Sequence, residues 1–279
     1  MKISHSEAAG FTLCERKHYY AFGEKLQGIH TSEALTRGQL GHLLMEAFFR
    51  EYQNSYDFDK ALEVMGAKSS ELLGKDLKNI KVIVYLLTVI NGFLNYYKDQ
   101  ILQWKIIHVE KEFKIELKEF DYHFTPDLIV EIKGELVIVD HKFIYDFYSD
   151  DLIQMLPQIP RYIGGLRALG IPVQRGLYAF LRYRDIKQDG PGNRFDLRPC
   201  NPNEHRVQNS FKDLILTVEP IKRFREMGLE NWHANVRRTA DEKICERMCD
   251  FTALCVAELN GDSGNLIREL QYKESIYGY

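Results

Sequence analysis

Two aspartates and a lysine flanking a tight turn carry the sharpest chemistry in this sequence. Residues 126–142 read Pro126-Asp127, an apolar run from Leu128, Lys133-Gly134, a second apolar run, and then Asp140-His141-Lys142. A turn at Lys133-Gly134 makes the segment a β-hairpin. Ile132 then faces Glu135, Val130 faces Val137, and Asp127 faces Asp140. Directly opposed side chains in an antiparallel pair have Cβ atoms about 4.5–5.5 Å apart, and like charges there destabilise a sheet. A shared divalent cation removes that repulsion, because hard ions such as Mg²⁺ take carboxylate oxygens. Lys142 lies two residues beyond Asp140 and therefore on the same face. The trio predicts a spot where a bound metal activates water and an ammonium group stabilises developing charge. Taken alone, a solvated Asp127–Lys142 ion pair beside the turn would account for the same residues. Glu131-Ile132-Lys133 repeats the Glu-x-Lys spacing. Glu131 is, however, roughly 13 Å along the strand from Asp127, too far to share an ion.

Other candidates come from helical spacing. His42 and Glu46 are four residues apart, as are Gln158 and Tyr162, so each pair shares a helix face. Each is equally compatible with ordinary core or surface packing. Pro157 and Pro160 place the start of their helix near 157, where early N–H groups have no helical partner. Cys245-x₃-Cys249-x₅-Cys255 lies near the end of the chain and Cys14 near its start. Four thiolates can hold a [4Fe–4S] cluster or a structural Zn²⁺. Burial of the last three as apolar helix residues is the alternative. Cys200 has no place in this spacing and is expected to be a free thiol.

The elements that must position these groups change character along the chain. A first helix is expected from Ser4 or Ser6 to about Phe22, then helices at about Ser32–Tyr52, 57–74 and 77–99. Alternation predicts strands at Ile106–Leu117, Tyr122–Ile132 and Glu135–Phe143. A helix at about 150–169 stops at Gly170 with Pro172 beyond it. A strand at 173–184, a loop at 185–210, a short strand near 213–218 and a helix at about 220–239 complete the pattern. The 279 residues contain 45% apolar and 28% charged residues, which suits a globular chain and excludes wholesale disorder. The net charge of −3 gives no support for nucleic-acid binding from composition, though basic residues can still concentrate in one cleft. No apolar run approaches the ~18 residues of a membrane span. The N-terminus lacks the apolar core of a signal peptide, so a cytoplasmic protein without membrane contact is expected. An odd number of cysteines there argues against a disulfide framework.

Gly38-x₃-His42, Asp127, Asp140-x-Lys142 and Gln158-x₃-Tyr162, in that order, resemble the RecB-type nuclease domain of the PD-(D/E)XK superfamily. Phe11-Thr12-Leu13-Cys14-Glu15-Arg16-Lys17-His18-Tyr19-Tyr20 is similar to that family's Cys-Pro-Arg-aromatic opening, with Glu15 replacing proline. One cysteine before the nuclease motifs and three after resemble the iron–sulfur staple of CRISPR-associated adaptation exonucleases and of bacterial helicase–nuclease subunits. Their middle spacing is x₂, against x₃ here. The resemblance implies an α/β fold with a restriction-endonuclease-like core: a small mixed sheet flanked by helices, a helical N-terminal insertion and a cysteine-bearing C-terminal tail. It implies one domain over 1–279, mainly helical over 1–104, with the catalytic core at 105–220 and a helical part at 221–279. His42, Asp127, Asp140 and the backbone carbonyl of His141 would hold Mg²⁺ or Mn²⁺. Lys142 would be the catalytic lysine, with Gln158 and Tyr162 positioning DNA or the lysine. Cys14, Cys245, Cys249 and Cys255 would hold [4Fe–4S], with Zn²⁺ as the alternative. Glu110, on the preceding strand, is a weaker candidate for the site, with a structural role the simpler reading. The implied activity is a metal-dependent DNA exonuclease in recombination, repair or replication, in a bacterial or phage-infected cytosol. Its partners would be single-stranded DNA or duplex ends and a helicase or recombination protein. Arg16, Lys17, Arg161, Arg167, Arg182 and Arg184 would line a strand-binding groove. The rival readings are a non-catalytic DNA-binding or assembly module of the same fold, and a restriction-type endonuclease. The latter lacks a separate recognition domain.

Overall fold

The structure, a computed structural model, describes residues 1–29, 33–75, 79–184 and 193–275. β1 (Lys2–Ser4) feeds α1 (His5–Leu13), where the Ser4 hydroxyl caps the first turn by accepting the Glu7 N–H at 3.0 Å. The expected helix to Phe22 breaks at Cys14, which is extended (φ −164°, ψ 117°). The chain resumes as α2 (Glu15–His18), a turn of π-helix (Tyr19–Gly23) and β2 (Leu26–Gly28). α3 (Glu33–Ser55), α4 (Phe58–Lys75), α5 (Ile80–Tyr96) and α6 (Lys98–Ile101) supply the helical first hundred residues. The expected helix starts at 32 and 77 lie outside the described residues.

The single strand expected over 106–117 is two, β3 (Lys105–Val109) and β4 (Phe113–Leu117). Glu110 breaks it with a left-handed φ of 44°. β5 (Phe120–Phe124) and β6 (Leu128–Ile132) are separated by Pro126, which has no N–H for a ladder. β7 (Glu135–Ile144) follows the hairpin turn. One helix at 150–169 becomes α7 (Asp150–Met155) and α8 (Gln158–Ala168), because the residue before Pro157 is forced out of the helical region. After β8 (Arg175–Arg182), the expected loop holds β9 (Phe195–Cys200) and the start of α9 (Glu204–Met227); its residues 185–192 lie outside the described ones. The strand expected at 213–218 lies within α9. Leu214, Val218, Ile221 and Phe224 are buried at helical spacing, so the apolar run is one face of a helix. The helix expected at 220–239 ends at Met227, and Gly228, at φ 80°, turns the chain into α10 (Leu229–Asn235). A π-helical turn (Ile244–Met248), α11 (Thr252–Leu259), α12 (Asn265–Gln271) and β10 (Tyr272–Glu274) complete the chain.

The chain divides into two compact units. One comprises Met1–Thr36, Lys114–His123 and Phe211–Tyr279. It contains a sheet of order β1-β5-β4 and the pair β10-β2. Its polar centre is Glu258, whose buried carboxylate accepts hydrogen bonds from Tyr20, His233 and Arg268.

The other unit comprises Arg37–Phe113 and Phe124–Ser210 and has a five-stranded sheet of order β3-β6-β7-β8-β9. β7 and β8 are parallel and the other neighbours antiparallel. Lys133 and Gly134 at the β6–β7 turn have φ of 53° and 83°, the paired positive values that a two-residue hairpin turn of matching twist requires. The register that results pairs Leu128 with Val139, Val130 with Val137 and Ile132 with Glu135. Val130, Val137 and Val139 on one face join a core with Leu44, Phe48 and Phe49 of α3 and Leu86, Val89 and Phe93 of α5. α8 packs on β7 and β8. Helices flanking a small mixed sheet make the α/β class plain.

Candidate active site

Strand alternation divides the end of β7 between two faces. Val137 and Val139 point into the α3–α5 core, so His141 shares their face, while Asp140 and Lys142 share the other. Lys142 Nζ lies 2.6 Å from Asp140 Oδ2 and donates to Gln158 Oε1 at 2.6 Å. Gln158 stands at the first position of α8, and its Nε2 donates to the Tyr162 hydroxyl at 3.1 Å. The expected helical pair is therefore connected to the lysine as a chain of hydrogen bonds. Tyr162 is itself fixed by stacking on Phe124, with ring centres 5.4 Å apart.

Asp127 precedes β6 by one residue, and extension of the hairpin register sets it opposite Asp140. Its Oδ2 accepts the His141 backbone N–H at 2.7 Å and lies 3.4 Å from both the His42 and His141 Nδ1 atoms. His42, Asp127 and His141 form a group whose ligand atoms all lie within 4.8 Å of one another. The His141 ring, buried and stacked on Phe49 at 5.6 Å, thus enters the site as well as its main chain. The sequence reading assigned only the carbonyl. Alternation puts the ring on the face opposite Asp140 and Lys142, but only the packing shows that α3, which carries His42, covers that face.

α3 brings His42 to the sheet by close approach. A Cβ on Gly41 would fall 2.4 Å from the Phe143 ring, so only glycine lets α3 approach β7 this closely here. The His42 ring meets Phe143 edge-on at 5.6 Å. Glu46, one turn on, pairs with Arg50 at 2.7 Å. Glu110 does join the site, its Oε1 3.7 Å from His42 Nδ1. Glu131, the rejected repeat, pairs with Lys105.

The charges are strongly coupled. Burial pushes the Asp127 carboxyl up, but His42, the His141 N–H and Lys142 outweigh it and hold it at about 2. Burial alone would lower His42, yet Asp127, Glu110 and Asp140 raise it to about 9. Burial also lowers Lys142, and Asp140 and Asp127 more than reverse this. Burial pushes Glu110 up. The donor set fits a divalent cation. Among the described residues, Asp140 Oδ1 and His141 Nε2 are buried and have no hydrogen-bond partner. Buried polar atoms are nearly always partnered. The carboxylate oxygens suit Mg²⁺ or Mn²⁺, and the imidazole nitrogens are donors to first-row divalent metals.

Several residues read as groove-lining have other work. Arg16 is buried and donates to the His233 carbonyl. Arg161 is buried and donates to the Ser210 carbonyl, and Arg167 donates to the Val173 carbonyl and pairs with Glu204. Charge is legible in a sequence; burial of an arginine is not. Arg182 and Arg184 share Asp146 and lie over Phe147 and Tyr145, on the segment just beyond β7.

In the other unit, Cys14, Cys245 and Cys255 each contact Arg238 or Thr239, but among the described residues no three cysteine sulfurs lie within 4.8 Å of one another. Cys14 Sγ accepts the Thr239 N–H at 3.5 Å, and Cys245 Sγ donates to the Thr239 carbonyl at 3.2 Å. Cys255 Sγ accepts from Arg238 Nε at 3.3 Å. Burial pushes the Cys249 thiol up, and the Cys14 sulfur adds to the rise. All five cysteines are free thiols, and Cys200 lies buried on β9.

No curated protein matches the sequence. The fold is similar to the crystal structure of a candidate exonuclease from Eubacterium rectale, with a TM-score of 0.51 and 13% identity over 92% of each chain. That likeness concerns the fold alone. The crystal structure of SSO0001 is more distant, with a TM-score of 0.30 and 16% identity over 64% of this chain and 74% of that one. The family model described as PD-(D/E)XK nuclease superfamily matches residues 2–256. That match spans both units and the whole site, and the chain belongs to the PD-(D/E)XK nuclease superfamily.

Proposed function

We propose that this protein is a metal-dependent deoxyribonuclease of the RecB type, acting as an exonuclease on DNA ends, with residues 1–279 as one nuclease domain. The observation that carries the reading is Lys142, set 2.6 Å from Asp140 and 2.6 Å from Gln158, beside the His42, Asp127 and His141 group. His42, Asp127, Asp140 and His141 would hold Mg²⁺ or Mn²⁺. Bound there, the ion supplies an acidified water and polarises a phosphoryl oxygen. Lys142 holds the attacking water and meets the charge that develops on the phosphoryl oxygens. Gln158 and Tyr162 keep the amine aimed at that point, so a hydrogen-bonded chain rather than a flexible stem sets its position.

Beside the site, Tyr145 is 56% exposed and Arg184 lies over its ring at 5.6 Å. Arg182 lies over Phe147 at 5.3 Å and Arg37 over Tyr183 at 4.6 Å. Aromatic faces interleaved with arginines suit the bases and phosphates of a single strand. Cys14, Cys245, Cys249 and Cys255 would hold a [4Fe–4S] cluster, with Zn²⁺ as the alternative. The contacts of Cys14, Cys245 and Cys255 with Arg238 and Thr239 support a staple between the two ends of the chain. The biological setting in this reading is recombination, repair or replication in a bacterial or phage-infected cytosol, alongside a helicase or recombination protein. No described helix is long and apolar enough to cross a membrane.

The test is incubation of purified protein with end-labelled linear DNA and covalently closed circular DNA, with Mg²⁺ or Mn²⁺. Degradation of the linear form alone, abolished by EDTA, is expected. Nicking of the circle would make it an endonuclease. Binding without cleavage of either substrate would replace the enzyme with a non-catalytic module.

A further inference from the structure

Tyr178 lies on β8 and is wholly buried. In the parallel ladder it is the partner of Asp140, as Phe180 is of Lys142. Partners across a ladder share a face, so both rings stand on the face of the sheet that carries Asp140 and Lys142. Two residues earlier on the same face, a Cβ on Gly176 would fall 2.7 Å from Ile159 Cγ2. Glycine there lets the first turn of α8, which carries Gln158, rest close against β8.

Lys142 is held from two of these elements, with Asp140 Oδ2 of β7 and Gln158 Oε1 of α8 each 2.6 Å from Nζ. An ammonium group has three N–H donors, so one remains for the reaction. Two hydrogen bonds alone leave the group free to swing about the line joining their acceptors. A third surface is needed to fix where the remaining N–H points. The Tyr178 ring supplies it, with Lys142 Nζ 6.0 Å from the ring centre, at the range over which a ring face attracts a cation. The ring is itself braced. It stacks on Phe180 at 5.8 Å, and Phe180 meets Tyr148 at 5.3 Å and lies under Arg198 at 5.8 Å. The Tyr178 hydroxyl is buried and makes no hydrogen bond of ordinary geometry, so the ring is the part of the side chain that acts. We propose that Tyr178 is a positioning residue for Lys142, its ring fixing the direction of the free N–H, an assignment that rests on the deoxyribonuclease reading given above.

Cleavage kinetics of the full chain on end-labelled linear single-stranded DNA with Mn²⁺ test this, well below the melting temperature of every variant. Tyr178→Leu removes the ring and should lower kcat at least about tenfold, since a displacement of order 1 Å at a reacting group costs that much or more. KM and Mn²⁺ affinity should stay within about twofold of wild type. Tyr178→Phe keeps the ring and should recover most of the kcat that Tyr178→Leu loses. Wild-type kcat in Tyr178→Leu, a loss of Mn²⁺ affinity equal to the loss of kcat, or a Tyr178→Phe as slow as Tyr178→Leu would each overturn the ring's part alone. A second measurement needs only the wild-type fold. In protein with ¹³C-labelled lysine, the Lys142 ε-methylene protons, assigned with Lys142→Met, should be shifted upfield by the ring, and an unshifted signal would overturn the proposal even if Tyr178→Leu fails to fold. A wild-type protein that shows the shifted signal and cleaves no DNA would overturn the deoxyribonuclease reading, and with it any catalytic purpose for the contact.

Discussion

On the proposed reading, loading the site with a divalent cation expels a proton from His42. In the metal-free protein, burial disfavours the imidazolium, but Asp127, Glu110 and Asp140 hold its pKa at about 9. A metal takes only the neutral ring. At pH 7.5 His42 is about 1.5 units below its midpoint, so nine-tenths or more of the free protein carries the proton. Each pH unit below 9 therefore costs about 1.4 kcal/mol of binding, a factor of about ten in affinity. The direction follows from a raised pKa: protonated His42 stabilises the free site at low pH, and that competing stabilisation disappears as pH rises through about 9. Calorimetry with Mn²⁺ in buffers of different ionisation heat measures the release directly. About one proton per ion is expected at pH 7.5, with affinity rising until about pH 9 and flat beyond it. His42→Gln should abolish the release near pH 7.5. Zero proton release in the wild type, with affinity constant between pH 7 and 8.5, would refute both the ligand role and the charge coupling.

Other variants probe the parts that support this site. Gly41→Ala puts a Cβ 2.4 Å from the Phe143 ring, so urea denaturation should show a loss of about 1–3 kcal/mol and Mn²⁺ binding should weaken as α3 is pushed off β7. Lys142→Met leaves the Asp140 carboxylate, 1% exposed, without its ion-pair partner. Denaturation without metal should show a cost of about 3–5 kcal/mol, reduced by saturating Mn²⁺, while cleavage is lost. Anaerobically purified protein should be brown, and Cys14→Ser colourless and less stable; colourless wild-type protein with stoichiometric zinc would replace iron and keep the staple.

The hairpin was the most legible part of the chain because its information is local. Lys133-Gly134 accepts the two positive φ values of the turn, and valines and isoleucines on both arms leave one register for the turn to lock. Asp127 and Asp140 follow from that register by counting. Glu110 read only as a weaker candidate, because β3 shifts register between Ile106 and His108, so alternation counted from either end goes astray. The His141 ring required knowing that α3, rather than α8, covers its face of the sheet. The run from Leu214 to Val218 read as a strand because five residues are too few to distinguish periods. Only the continuation through Ile221 and Phe224 shows the helical face. The break at Cys14 was visible as a residue, but not as the end of a helix.

The central claim is that phosphodiester cleavage occurs where Asp127, Asp140 and Lys142 meet. Its most direct measurement is the degradation rate of end-labelled linear single-stranded DNA with Mn²⁺, for wild type and for Asp140→Ala. Binding is followed in parallel by fluorescence anisotropy. Rapid cleavage by wild type, and none above background by Asp140→Ala at similar DNA affinity, is the result the account predicts. Cleavage by Asp140→Ala at the wild-type rate would place the chemistry elsewhere in the molecule.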